Sequence, residues 1–419
     1  MTILLIAKFL TPSEQGYYYT FSSLVALQII FELGFSFVVL QLATHERAKL
    51  TIFDDGHIEG NSIAHARLAS VLQKSVRWYC VAATLMACTL LPAGIYFFTT
   101  HHNTATLAHA WRLPWIILVF AATATFQIDP IISFLEGCGY VADVARMRLT
   151  QAMVASSLAW SALLLHHGLF APAMVITGQA VVGLGWILIR RRRLIFGLLR
   201  HKTHGNQIVW RSEVWSFQWR IAISWLCGYF IYQLFNPIIF AYQGPVVAGR
   251  MGMSLSISGS IGAVAIAWMN TKSSPFGHII AQGKYRELDH LFFRTLKQST
   301  IFLLAGITTF FSCLLYAARH YPKYADRVLT PWAFAFLLLG VISNHIVTSE
   351  ALYLRAHKQE PFLIVSVIGA ILITISIYFL GRYESANAVA VGYFLCSWPT
   401  GLMGSYIFIT KRRAWHMPA

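Results

Sequence analysis

Apolar residues in this chain gather into long unbroken runs, and polar residues are confined to short intervals between them, a pattern of bilayer spans rather than of amphipathic helices or half-buried strands. Crossing a hydrocarbon core takes about 20 residues of helix. Runs that long occur at 17–42, 77–99, 113–135, 149–167, 169–190, 217–241, 246–270, 298–317, 331–352, 361–381 and 387–409. The opening stretch MTILLIAKFL adds an apolar run of ten residues, a helix of only about 15 Å. Two runs share an edge at His166, His167 and Gly168, where the polar-glycine break predicts a tight hairpin. The expected fold class is therefore an all-α polytopic membrane protein with eleven full transmembrane helices plus a truncated first one.

Composition agrees: 57% of the 419 residues are hydrophobic and 11% are charged, outside the range of ordinary soluble domains. The net charge of +16 raises nucleic-acid binding as a function. The basic residues fall in short runs between spans, as topology determinants do, and no groove-reading motif accompanies them, so that class is excluded. The six cysteines are scattered without a C-x-x-C pair, which points neither to a metal site nor to a disulfide framework. Residues 1–10 do not read as a signal peptide, because Lys8 follows the apolar run instead of preceding it.

Lys and Arg set orientation. Alternate connections carry 24 of them against 5 in the other set, with Lys8, Arg220 and Arg250 lying in or beside spans. The C-terminus is expected to be cytoplasmic, the TPSEQG turn at 11–16 outward, and the location a multi-pass inner (plasma) membrane. Residues 63–74 read either as a helix along the membrane surface or as a solvated loop.

An internal repeat is visible in the turns. Pro12 and Gly16 share a P-x-x-x-G spacing with Pro245 and Gly249, each pair following an apolar run and opening a long span. Each half ends on a basic stop, Arg190 to Arg193 and Lys411 to Arg413. The expected division is an N-terminal helical bundle at 1–190, a basic cytoplasmic linker at 191–215, a C-terminal bundle at 216–410 and a tail at 411–419. Two such halves suit a transporter in which they rock about a site between them.

The stretch FLTPSEQGYYYTFSSLVALQIIFELGFSFVVLQLATHE resembles the first-hairpin signature of polysaccharide and O-antigen flippases of the multidrug/oligosaccharidyl-lipid/polysaccharide exporter superfamily. In that signature an apolar helix ends in L-x-P-x-x-x-G-x-Y and the next helix carries an acidic-x-Gly element, here Glu32, Leu33 and Gly34. FLEGCGYVADVARMRLTQ and FQWRIAISWLCGYFIYQLFNPIIFAYQGPVVAGRMGMSLS are similar to later spans of the same group. The resemblance implies two six-helix bundles around a central cavity, and movement of a polyprenyl-pyrophosphate-linked oligosaccharide to the outer leaflet for surface polysaccharide biosynthesis. It implies membrane lipids, a polysaccharide polymerase and glycosyltransferases as partners. The chain departs from the pattern in lacking the first half of helix one, which is read as a misassigned start or a truncated gene. That missing stretch includes the position that would mirror Arg220.

Ionisable residues inside spans are costly and so mark candidate sites. Arg220 reads either as an interfacial arginine snorkelling beside Trp215 and Trp219 or as a cavity-facing phosphate contact. Glu32 and Asp129 lie well inside their spans. Each is either a packed structural carboxylate or a coupling carboxylate, and Asp129 stands next to the helix-bending Pro130. Glu32 and Arg220 are expected to pair across the two halves and close the cytoplasmic side. Lys8 and Arg250 flank the two repeat turns, as phosphate contacts at the exit or as snorkelling cations. Glu350 reads as interfacial, and Tyr17 to Tyr19, Trp78, Tyr79, Trp111, Trp115 and Trp332 as interface anchors. The serine- and glycine-rich span at 246–270 suits close helix packing, or the wall of a sugar cavity.

No G-x-x-x-x-G-K-[ST] occurs, so transport is expected to run on an ion gradient, a membrane potential or consumption of its product, with no cofactor. A multidrug exporter of the same superfamily is the nearest alternative and would favour an aromatic, acidic cavity. A membrane-embedded sugar polymerase or ligase would present a large outward loop with Arg and His. The outward connections here are about a dozen residues long, with His101 and His102 as the one enzyme-like cluster. An enzyme is therefore not expected.

Overall fold

The structure, a computed structural model, describes all residues except 54–55, 102–109, 204–206, 210–214, 358–360 and 417–419, and all side chains of the described helices except those of 216, 217, 220, 221, 274, 281 and 416. The first half runs α1 (Thr2–Phe9), α2 (Pro12–Val25), α3 (Ile29–Glu32), α4 (Phe35–Arg47), a hairpin of β1 (Leu50–Ile52) and β2 (Ile58–Gly60), α5 (Ser62–Thr100), α6 (Arg112–Gly137), α7 (Val141–Leu164), α8 (Ala171–Trp186) and α9 (Arg192–Arg200). The second half runs α10 (Trp215–Tyr232), α11 (Phe235–Gln243), α12 (Pro245–Asn270), α13 (Ser273–Ala281), α14 (Tyr285–His320), α15 (Pro322–Ala325), α16 (Pro331–Ala356), α17 (Leu363–Tyr383) and α18 (Ala386–His416).

Two compact units result. The first holds residues 1–10 and 21–229, the second 11–20 and 230–419. In the first, α6 packs on α4, α5 and α8, while α7 packs on α8 and α1. In the second, α16 packs on α12, α14 and α18, while α17 packs on α18 and α11. The same neighbour order recurs with α12 in the place of α4, α14 of α5, α16 of α6, α17 of α7 and α18 of α8, which is the internal repeat realised in packing.

Among the described residues eight helices are long and apolar enough to cross a membrane. A ninth appears if Pro12–Glu32 and Phe35–Arg47, bent by 46°, make one span. The hydropathy pattern predicts eleven. The difference falls on α7 and α18, which have 24 and 31 residues but no continuous stretch apolar enough to span. Between α7 and α8 the chain turns sharply, with His166 in the left-handed region (φ 59), so the hairpin expected there is present.

Three sequence expectations need correction. Residues 63–74 are helical and not a loop, because the Asn61 side chain caps the Ile63 and Ala64 amides at 2.8 and 3.2 Å and starts one helix of 39 residues there. Leu68, Ala69 and Leu72 are fully buried along it. Tyr79, Trp111 and Trp115 are core residues with at most 1% of their surface exposed, not interface anchors. Phe98 draws both tryptophans inward, with ring centroids 5.3 and 5.7 Å away. Tyr17 and Tyr19 are buried likewise. Glu350 is not interfacial but 5% exposed, because α18 brings the Ser405 hydroxyl to its carboxylate at 3.1 Å.

Candidate functional site

The span that opens at Pro12 breaks after Glu32. Leu33 (φ 51) and Gly34 (φ 67) both adopt left-handed backbone before the helix restarts at Phe35. Glycine takes that conformation freely, whereas leucine pays a steric penalty, so the surrounding packing must hold the break in place. A helix broken at membrane depth leaves backbone groups that only protein or a wet cavity can satisfy. The acidic-x-Gly element is thus the break itself.

Polar side chains gather around it. Ser36, in the first turn of α4, meets the Tyr79 hydroxyl from α5 at 2.7 Å and lies close to Glu32. Asp129 of α6 lies within electrostatic reach of both Glu32 and Tyr79. Phe35 and Phe126 close on the Tyr79 ring, with centroids 5.9 and 4.8 Å away. Tyr79 is sealed, while Glu32 and Asp129 are half-buried. Neither carboxyl forms an ion pair among the described residues, although acids elsewhere in this unit do: Glu46 with Arg67, Glu136 with Arg148 and Asp143 with Arg191. A carboxyl with no cation in ion-pair contact can exchange a proton or a small cation.

The repeat turns meet inside the second unit. A Cβ on Gly16 would overlap the Pro245 carbonyl, and one on Gly249 would stand 2.9 Å from the Gly16 nitrogen and 3.1 Å from the Pro12 oxygen. The two P-x-x-x-G motifs therefore pack directly on each other, backbone against backbone. Gln15 locks the crossing from within, its amide donating to the Gly249 carbonyl at 2.8 Å and the Arg327 carbonyl at 2.9 Å. Burial lowers the pKa of the Arg327 guanidinium, and the nearby Glu14 carboxylate counteracts it. The span at 246–270 divides in use: Gly249, Gly252 and Ser254 are buried in packing, whereas Ser260 is exposed.

The sequence candidates do not converge on one point. Glu32 and Asp129 lie within electrostatic reach of each other. Lys8 is exposed in the first unit, with its ammonium 5.3 Å from the centroid of the Phe9 ring. Arg250 is exposed in the second unit and donates through Nε to the Asp326 carbonyl at 2.9 Å. It borders a cleft of about 320 Å³ that Gln243 and Asn387 also line. The helix carrying Arg220 groups with the first unit as far as Tyr229, and the Arg220 side chain lies outside the described residues, as do His102 and its neighbours. Sequence reading missed Ser36, Tyr79, Gln15 and Arg327. Only Gln15 carries a local signal, an amide inside the P-x-x-x-G turn.

No protein-family model and no curated protein matches the chain in sequence. Solved structures do. An inward-facing multidrug resistance MATE family transporter of the MOP superfamily superposes with a TM-score of 0.67 at 11% identity, covering 99% of this chain and 98% of its own. The chain has the fold of the MATE transporters. An outward-facing MATE transporter aligns at 0.53 and 13% identity, over 100% of this chain and 96% of its own. A MOP superfamily transporter from Pyrococcus furiosus, described as having a binding pocket of reverse polarity, aligns at 0.51 and 12% identity, with 100% and 96% covered. That fold accounts for a helical membrane protein of two repeated halves.

Proposed function

We propose that this chain is a cation-coupled exporter of small amphipathic molecules that works by alternating access, with Glu32 and Asp129 as its coupling carboxyls. The observation that carries the reading is a pair of half-buried acids, Glu32 at a helix break beside Ser36 and Tyr79 and Asp129 of α6 within its electrostatic reach, neither in an ion pair among the described residues. An acid that must load and release a cation cannot also be tied into a permanent salt bridge, which separates this pair from Glu46, Glu136 and Asp143. The aromatic, acidic surroundings suit an organic-cation cargo better than a pyrophosphate. MATE transporters of the same fold, solved facing inward and outward, support alternating access.

Flipping of a polyprenyl-pyrophosphate-linked oligosaccharide is the second reading. The first-hairpin signature favours it, and the Pyrococcus transporter described above supports a fold whose pocket polarity varies. On that reading Arg220, Arg250 and Lys8 would meet phosphate, and pairing of Glu32 with Arg220 would close the path.

Reconstituted protein with an imposed proton or sodium gradient separates the two. Gradient-driven uptake of a fluorescent organic cation that Glu32→Gln and Asp129→Asn each abolish is the expected result. Translocation of a fluorescent polyprenyl-pyrophosphate sugar, insensitive to Asp129→Asn and lost in Arg220→Gln, would replace the exporter reading with the flippase.

A further inference from the structure

At the end of the first unit where α8 gives way to α9, the geometry points to a binding site for a phosphate group, built from four consecutive arginines. Residues in a regular α-helix are spaced by about 100°, so four in a row point almost all the way around the axis and never share one cleft. Here the helix loosens into a π-helical stretch at Ile187–Arg191 and then turns at Arg191 (φ −124, ψ 8) before α9 begins. Arg190, Arg191, Arg192 and Arg193 consequently all line a single cleft of about 250 Å³, together with Tyr140 and Gly56 of the β-hairpin.

Arg191 is the fixed wall. Its guanidinium lies 3.7 Å from the centroid of the Tyr140 ring and pairs with Asp143, and its side chain is 12% exposed. Its Nε is nevertheless buried without a hydrogen-bond partner among the described residues. The other three arginines are exposed and form no ion pair among the described residues, and Asp143 already serves Arg191 and Arg146. The cleft therefore presents three uncompensated guanidinium forks beside a rigid fourth, an arrangement complementary to phosphate oxygens. Orienting a span requires only positive charge near its end; neither a π-helical stretch nor a cleft is needed for that. The phosphate can come from a lipid headgroup or from a free polyphosphate. The site stands on this geometry and not on the exporter reading.

Full-length protein, purified and delipidated, is titrated with phosphatidylglycerol and with phosphatidylcholine by native mass spectrometry, and with inorganic pyrophosphate by thermal shift. Arg190→Gln/Arg192→Gln/Arg193→Gln should weaken phosphatidylglycerol binding about tenfold, the worth of one charge-assisted hydrogen bond. Lys284→Gln/Arg286→Gln/Arg294→Gln, which removes equal charge from the second unit, should change it by less than about twofold. The triple lysine variant at 190, 192 and 193 keeps the charge that orients the spans, serves where the glutamine variant fails to insert, and should still lose several-fold through the missing forks. Pyrophosphate that stabilises the wild type and competes with lipid identifies free phosphate as a ligand; lipid binding that pyrophosphate does not displace identifies the headgroup. Equal losses in the two glutamine triples, or full affinity in the lysine variant, would overturn the site.

Discussion

The break at Glu32 and the crossing at Gly16 lie within twenty residues of each other in the bent pair Pro12–Glu32 and Phe35–Arg47, yet they are opposite kinds of place. At the crossing, backbone meets backbone and the buried Gln15 spends its amide on two carbonyls. At the break, two carboxyls are half-buried and unpaired among the described residues, and a sealed tyrosine stands behind them. A fully satisfied polar group in a close-packed site is suited to holding, because any change leaves an orphan. A partly exposed, unpaired acid is suited to exchanging, because its partner can come and go. Family-like motifs mark both places equally, and only their surroundings tell them apart.

The sharpest way to break the contrast is to add a side chain at the crossing. Gly16→Val should cost about 3 kcal/mol or more and leave little folded protein by size-exclusion chromatography in detergent, because the Pro245 backbone has nowhere to go. At the break the largest effect should be functional instead. Asp129→Asn should remove gradient-driven transport while shifting the melting midpoint by no more than about 1 kcal/mol's worth, since no ion pair among the described residues is lost. A collapse in stability with transport retained would make Asp129 structural.

Gln15→Ala should destabilise by about 2 kcal/mol in thermal melts, because two buried carbonyls lose their donor, with transport by the surviving folded fraction unchanged. Tyr79→Phe should cost about 1 kcal/mol or less and slow transport only a few-fold, as it removes the hydroxyl bonded to Ser36 and leaves both carboxyls in place. Smallest of all, Lys8→Gln should alter stability by less than about 0.5 kcal/mol, since the ammonium is solvated and its aromatic contact is exposed. A large stability effect from Lys8 would mean that exposed cations in this fold carry structural weight.

Sequence alone determined what the bilayer dictates. Long apolar runs, basic punctuation and a repeated P-x-x-x-G spacing were enough for a helical membrane protein of two related halves, because water, lipid and helix geometry act on local stretches of chain. It also singled out Glu32 and Asp129, since a charge in an apolar run is costly wherever the run goes. Tertiary structure decided the rest, because contact between residues far apart in sequence leaves no local trace. That Tyr79 lies against Ser36 and not at the interface, that Glu350 finds Ser405, and that the two repeat turns rest on each other all depend on how helices pack. The four arginines show the division most clearly. As a run of letters they read as a topology signal, and it took a loosened helical turn to gather all four around one cleft.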